Sequence, residues 1–210
     1  MVKELPREAA SSVWLGFPSD ARVLIVNCDD LGMDDRVNAG VLAAVRQGIA
    51  TSCSLMAPAT AAAAALEALR RCPEVPFGLH LTLTRDVPQL GWAPLAPLVR
   101  VPSLVDGDGL LPTTAAAPAL LARARIEEVE LELRAQIDSV VETGLRPTHL
   151  DWHVLADGGR RDILELTIAL AGEYGLAARV WLDISTTSVC CASCQRACTS
   201  GRCTRPLSCR

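Results

Sequence analysis

Two rhythms of apolar and polar positions alternate between residues 22 and 185. Short apolar runs of strand length recur at RVLIVNC (22–28), ATSCSLM (50–56), PFGLHLTL (76–83), RPTHLDWH (146–153) and AARVWLDIS (177–185). Between them the spacing is helical. Val37, Val41, Ala44 and Val45 share one face of a helix that Asp34 or Asp35 can cap and Gly48 can stop. Further helices are predicted over 60–72, over 119–143 as one piece of about six turns, and over 161–175. The stretch from Pro88 to Pro118 is rich in proline and glycine and reads as a long loop or insertion that shapes access to a site. Strand–helix alternation of this kind predicts an α/β fold with a parallel sheet or a barrel of βα units. Its functional groups are expected at the C-terminal ends of the strands.

Composition narrows the class. The chain has 210 residues, enough for one domain with a substantial core, and only 3% are aromatic, so Ala, Leu and Val must fill that core. A net charge of −4 gives no footprint for nucleic acid. No apolar run is long enough to span a membrane, and the first 20 residues lack the apolar stretch of a secretory signal. A cytoplasmic protein with no nucleic-acid or membrane partner is expected, with a homodimer left open.

Charge and cysteine divide the chain into three parts. Residues 1–20 form an N-terminal extension, 21–185 a domain, and 186–210 a Cys/Arg/Ser-rich tail. The tail holds six of the nine cysteines and four arginines without one acidic residue. A zinc module built from Cys191 and Cys194 would need a second pair at matching spacing, which is absent. A disulfide-rich segment would need an oxidising compartment. The body has a single Lys and abundant Ala, Leu, Arg and Gly, the mark of GC-rich coding, and a shifted reading frame of such DNA yields a tail of this composition. The tail is therefore expected to be non-native or disordered.

Three places could carry chemistry. Asp29 and Asp30 follow the first apolar run directly. They are either a solvated turn or a pair with a cation between them, and Asp34 and Asp35 already provide a helix cap. His80 shares a strand face with Thr82 and Thr84, opposite Leu79, Leu81 and Leu83. Such a histidine is more often structural than a ligand, but the chain has only three, and the other two also lie in a strand segment. In THLDWH, His149, Asp151 and His153 alternate with Leu150 and Trp152, so strand geometry puts all three on one side. Buried together they are costly unless they surround a divalent cation. Asp151 is placed to fix a histidine tautomer from behind. One carboxylate and two imidazoles leave open positions for water or substrate, which points to a metal-assisted hydrolase or lyase.

LIVNCDDLGMDDRVNAGVLAAVRQGIATSCSLM, FGLHLTLT and PTHLDWH, in this order, resemble the YdjC/ChbG family of carbohydrate deacetylases. The resemblance covers roughly residues 20–185 and implies a TIM-barrel-like (β/α) fold as in NodB-related deacetylases, incomplete at the C-terminus. Where family members read Asn-Ala-Asp-Asp-Phe-Gly, this chain has Asn27-Cys28-Asp29-Asp30-Leu31-Gly32, and HVLADGGRRDI replaces a His-rich stretch. The resemblance implies that Asp30, His80 and His153 bind the metal and that Asp29 is the general base. His149 and Asp151 would contact the ligands or the substrate. It further implies removal of acetyl groups from an N-acetylated, chito-oligosaccharide-like sugar, with Mg2+ as the cofactor. On ligand chemistry alone Zn2+, Mn2+ or Co2+ suits two imidazoles and a carboxylate at least as well. The family's later His-Pro motif, a plausible general acid, has no counterpart here, since no histidine follows His153. The rival expectation is a non-catalytic metal- or sugar-binding remnant with the Cys-rich tail as an interaction segment.

Overall fold

The computed structural model describes residues 11–180. A short helix α1 (Ser11–Trp14) precedes β1 (Asn27–Leu31), α2 (Asp35–Gln47), β2 (Ser52–Leu55), α3 (Ala62–Arg71) and β3 (Phe77–Leu81). Three 3-10 turns then lead into α4 (Ala117–Arg123) and α5 (Ile126–Val141), followed by β4 (His149–Trp152), α6 (Arg161–Tyr174) and β5 (Ala177–Ala178). The strands pair in parallel in sequence order, β1-β2-β3-β4-β5. The α/β fold class is as expected, and the sheet is open among the described residues.

Local chemistry accounts for the element ends. The Asp34 carboxylate accepts from the backbone N–H groups of Arg36 and Val37 and so caps α2, which ends at Gly48. One face of the sheet buries Leu55, Leu79, Leu81 and Leu150 against Val129, Leu133 and Ile137 of α5. Each such leucine contributes about 2 kcal/mol of burial. The other face carries the polar residues that form the site.

Two expectations are corrected. The first strand was expected over 22–28, but pairing begins at Asn27, and Val23, Leu24 and Ile25 are exposed. Their apolar side chains have no covering element among the described residues. The single helix over 119–143 is two helices. Arg125 is extended (φ −88°, ψ 134°), and its N–H goes to Ser103 Oγ instead of continuing the helical ladder. Of the strand expected over 177–185, the described residues hold Ala177–Ala178; 181–185 lie outside them, as does the tail 186–210.

The long loop expected over 88–118 is irregular chain with 3-10 turns up to α4, and it is packed and anchored. Trp92, Val101, Leu104 and Leu111 are fully buried. Two acids on α5 hold the segment's backbone: Glu132 accepts from the N–H groups of Leu95 (3.1 Å) and Ala96 (2.8 Å), and Glu128 from that of Ser103 (2.7 Å). Gln136 completes this stripe by bonding both the N–H and the C=O of Thr82. The i, i+4, i+8 spacing keeps all three on one helix face.

Candidate active site

Register assembles the polar face. His80 pairs with Asp151 across β3 and β4, and Ser54 with Gly78 across β2 and β3. A Cβ on Gly78 would collide with the His149 ring, so this glycine makes the room in which His149 lies. At the far end of β1 the pairing slips between Cys28 and Leu31, and Asp30 takes φ 67°. Aspartate tolerates that left-handed conformation better than most residues. The slip lets two consecutive carboxylates serve one site.

Asp30 is the point of convergence. Its Oδ1 lies 3.1 Å from His153 Nδ1 and 3.3 Å from His80 Nε2. Ligand atoms of Asp30, His80 and His153 all fall within 4.8 Å of one another, and both imidazoles are buried. Asp151 lies behind His80, with Oδ1 2.7 Å from Nδ1, while its Oδ2 accepts from Ser54 Oγ (2.5 Å) and Arg179 Nε (2.9 Å). His149 Nε2 stands 3.3 Å from Ser54 Oγ and 3.5 Å from Asp151 Oδ2. Asp29 accepts from Asn27 Nδ2 and Arg179 Nη2, both at 2.7 Å. All six residues singled out in the sequence thus meet in one place.

The electrostatics follow from this layout. Hydrogen bonds from His153 and His80 hold the Asp30 carboxyl well below the usual carboxylate range, against the opposing effect of burial. Burial alone would raise Asp151, but bonds from His149, His80 and Ser54 hold it low as well. Burial would likewise strip the proton from His80, yet its bonds to Asp151 and Asp30 carry it up to about 9. Without a cation, the His80 proton supplies the positive charge between two anionic oxygens. A divalent ion at the same point would replace it.

Two imidazole nitrogens and one carboxylate oxygen, each imidazole backed by a further acid, form a donor set that fits a divalent cation. A second trio, Asp29, His80 and Asp151, is equally close. It already has a cation, because Arg179 Nη2 lies 2.7 Å from each of the two carboxylates.

Sequence pattern gave no role to Asn27, Ser54, Asp86, Trp92 or Arg179. Ser54 and Arg179 could have been found by strand parity, since Ser54 pairs with Gly78, two residues before His80, and Arg179 follows Ala178, the partner of Leu150, so both share the face of His80 and Asp151. Asp86 and Trp92 could not. Asp86 Oδ1 meets His153 Nε2 at 2.9 Å, and the Trp92 ring stands edge-on to His153 with centroids 6.0 Å apart. Both come from irregular chain with no period to read.

The site defines an α/β protein whose parallel sheet carries an Asp-His-His cluster at its strand ends, and comparison with known proteins narrows the class. The family described as YdjC-like protein matches residues 23–206, and the chain belongs to that family. It is 39% identical over 132 residues to a carbohydrate deacetylase of Geobacillus stearothermophilus, covering 63% of this chain and 49% of that one. It is 33% identical over 172 residues to a chitooligosaccharide deacetylase of Klebsiella pneumoniae, covering 80% and 62%. An Enterococcus faecalis crystal structure, of a protein described as a candidate for cellobiose-phosphate cleavage, superposes with a TM-score of 0.66 at 34% identity. That match covers 74% of this chain and 57% of the other. The chain thus spans about half to three-fifths of the length of these relatives. Among the described residues, no helix is long and apolar enough to cross a membrane.

Proposed function

We propose that this chain carries the centre of a metal-dependent carbohydrate deacetylase that removes acetyl groups from N-acetylated, chito-oligosaccharide-like sugars. The observation that supports it most is the convergence of Asp30, His80 and His153 within 4.8 Å beside Asp29. Deacetylase names among relatives of the same family point the same way. In this reading Asp30, His80 and His153 hold the cation, Mg2+ by resemblance or Zn2+, Mn2+ or Co2+ by donor chemistry. The cation would polarise the acetyl carbonyl and favour ionisation of the attacking water.

Other roles fall to the chain's own groups. Asp29, aimed by Asn27 and Arg179, takes the proton of the attacking water. Asp151 keeps the Nδ1 proton of His80 in place, leaving Nε2 toward Asp30. His149, half-buried, meets Thr148 and Ser54 through its two ring nitrogens and stands 3.5 Å from Asp151, which it supports.

The test is acetate release from N-acetylated chito-oligosaccharides by metal-stripped protein supplied with each cation in turn. Asp29→Asn should lower kcat by at least about a hundredfold, the usual worth of a general base, while cation binding persists. Release without any cation, or undiminished release by Asp29→Asn, would overturn the reading.

A further inference from the structure

His80 and His153 offer opposite nitrogens to Asp30. His80 turns Nε2 toward the carboxylate and gives Nδ1 to Asp151, whereas His153 turns Nδ1 toward it and gives Nε2 to Asp86. We propose that Asp86 is a positioning residue of this centre: by accepting the Nε2–H of His153, it fixes the ring with Nδ1 free for a cation. The inference rests on the metal-dependent reading above. It adds which nitrogen binds and which residue selects it.

A neutral imidazole carries one N–H, so a carboxylate that holds the proton on one nitrogen leaves the lone pair on the other. Asp86 is well built for that task although it lies after β3, in irregular chain. Its neighbour Arg85 is 5% exposed and anchored on every side. The Arg85 backbone N–H goes to Pro112 O (2.9 Å), and its C=O accepts from Thr114 N–H (2.8 Å). The Arg85 guanidinium donates to Leu111 O, Pro88 O and Leu90 O and pairs with Asp106 at 2.6 Å. A backbone pinned in this way limits where the next side chain can point. The Trp92 edge then closes on the ring of His153. His80 has the same kind of support, supplied by a strand neighbour, so the two ligating rings are braced by unrelated parts of the fold.

The 210-residue chain itself is the test object, with Zn2+ as the probe. Its three histidines make 15N-histidine spectra simple to assign. In the Zn2+-loaded protein, His80 should bind through Nε2 with Nδ1 protonated, and His153 through Nδ1 with Nε2 protonated. Calorimetric titration should show Zn2+ affinity falling about 10- to 100-fold in Asp86→Ala. Asp86→Asn should fall between, because its amide oxygen still accepts from Nε2–H. Glu165→Gln, which removes an exposed acid on α6, should change affinity less than about twofold, with melting temperatures showing that all variants fold.

Unchanged affinity and unchanged His153 signals in Asp86→Ala would overturn the proposal. So would an equal loss in the Ala and Asn variants with the His153 tautomer preserved, which would assign the carboxylate to the cation itself. Absence of Zn2+ binding in the folded wild-type chain would overturn the cation centre and the role of Asp86 together. That outcome is distinct from a failure of Asp86 alone.

Discussion

Two groups of acids, Asp30 half-buried and the others buried, sit on opposite sides of β3, and their surroundings differ. On α5, Glu132 accepts from the backbone N–H groups of Leu95 and Ala96 and from the amide of Gln136, and Glu128 accepts from the Ser103 N–H and from the Arg125 guanidinium. Asp30 and Asp151 face imidazoles, a hydroxyl and a guanidinium. Amide and guanidinium donors do not change charge in the ordinary pH range, so the first group fixes a segment of chain in place. Imidazoles can exchange a proton for a cation, so the second group is reactive. Burial of a carboxylate alone does not separate these cases; the identity of its partners does.

The largest effect that would test this contrast is structural. Glu132→Ala leaves the N–H groups of Leu95 and Ala96 without their acceptor, and should cost about 2–4 kcal/mol of unfolding free energy in denaturant titration. Cation affinity should change little, and a large loss would mean that the two groups are not separable. Next in size is Asp30→Asn, which suits the same positive φ because asparagine also tolerates it. Zn2+ affinity should drop by about a hundredfold, roughly 2.7 kcal/mol, while the melting temperature of the metal-free protein moves far less.

The smallest effect is with pH. The raised His80 value contributes stability that is fully present below 6.5 and lost as pH climbs through about 9. The lowered Asp30 and Asp151 values contribute stability present above 3.8 and lost as pH falls below it. Melting of metal-free protein should therefore be highest between about pH 4 and 6.5 and decline toward 9. Cation affinity should rise over that same alkaline range, since His80 must lose its proton to bind. A flat profile in both would show that His80 is not held between the two acids.

The site was more legible in the sequence than the segment that braces it. His149, Asp151 and His153 could be placed on one side because a strand repeats every two residues, and Asp34 could be read as a cap because its chemistry is local. The apolar run at 23–25 was misread for a physical reason: burial depends on what lies opposite, and the run alone does not contain that information. The break at Arg125 was hidden because it depends on Ser103, 22 residues away. Asp86 meets His153 across 67 residues of chain, and no spacing rule reaches that far.

The left-handed turn at Asp30 has one more consequence. A strand sorts its side chains by odd and even position, so neighbours are ordinarily sent to opposite sides of the sheet. One residue at φ 67° resets that count, at a cost of about 1–2 kcal/mol for an L-amino acid. Two successive codons can then supply two different instruments to the same chamber, one facing the histidines and one facing Arg179. The division of labour between Asp29 and Asp30 is written in the handedness of a single residue's backbone.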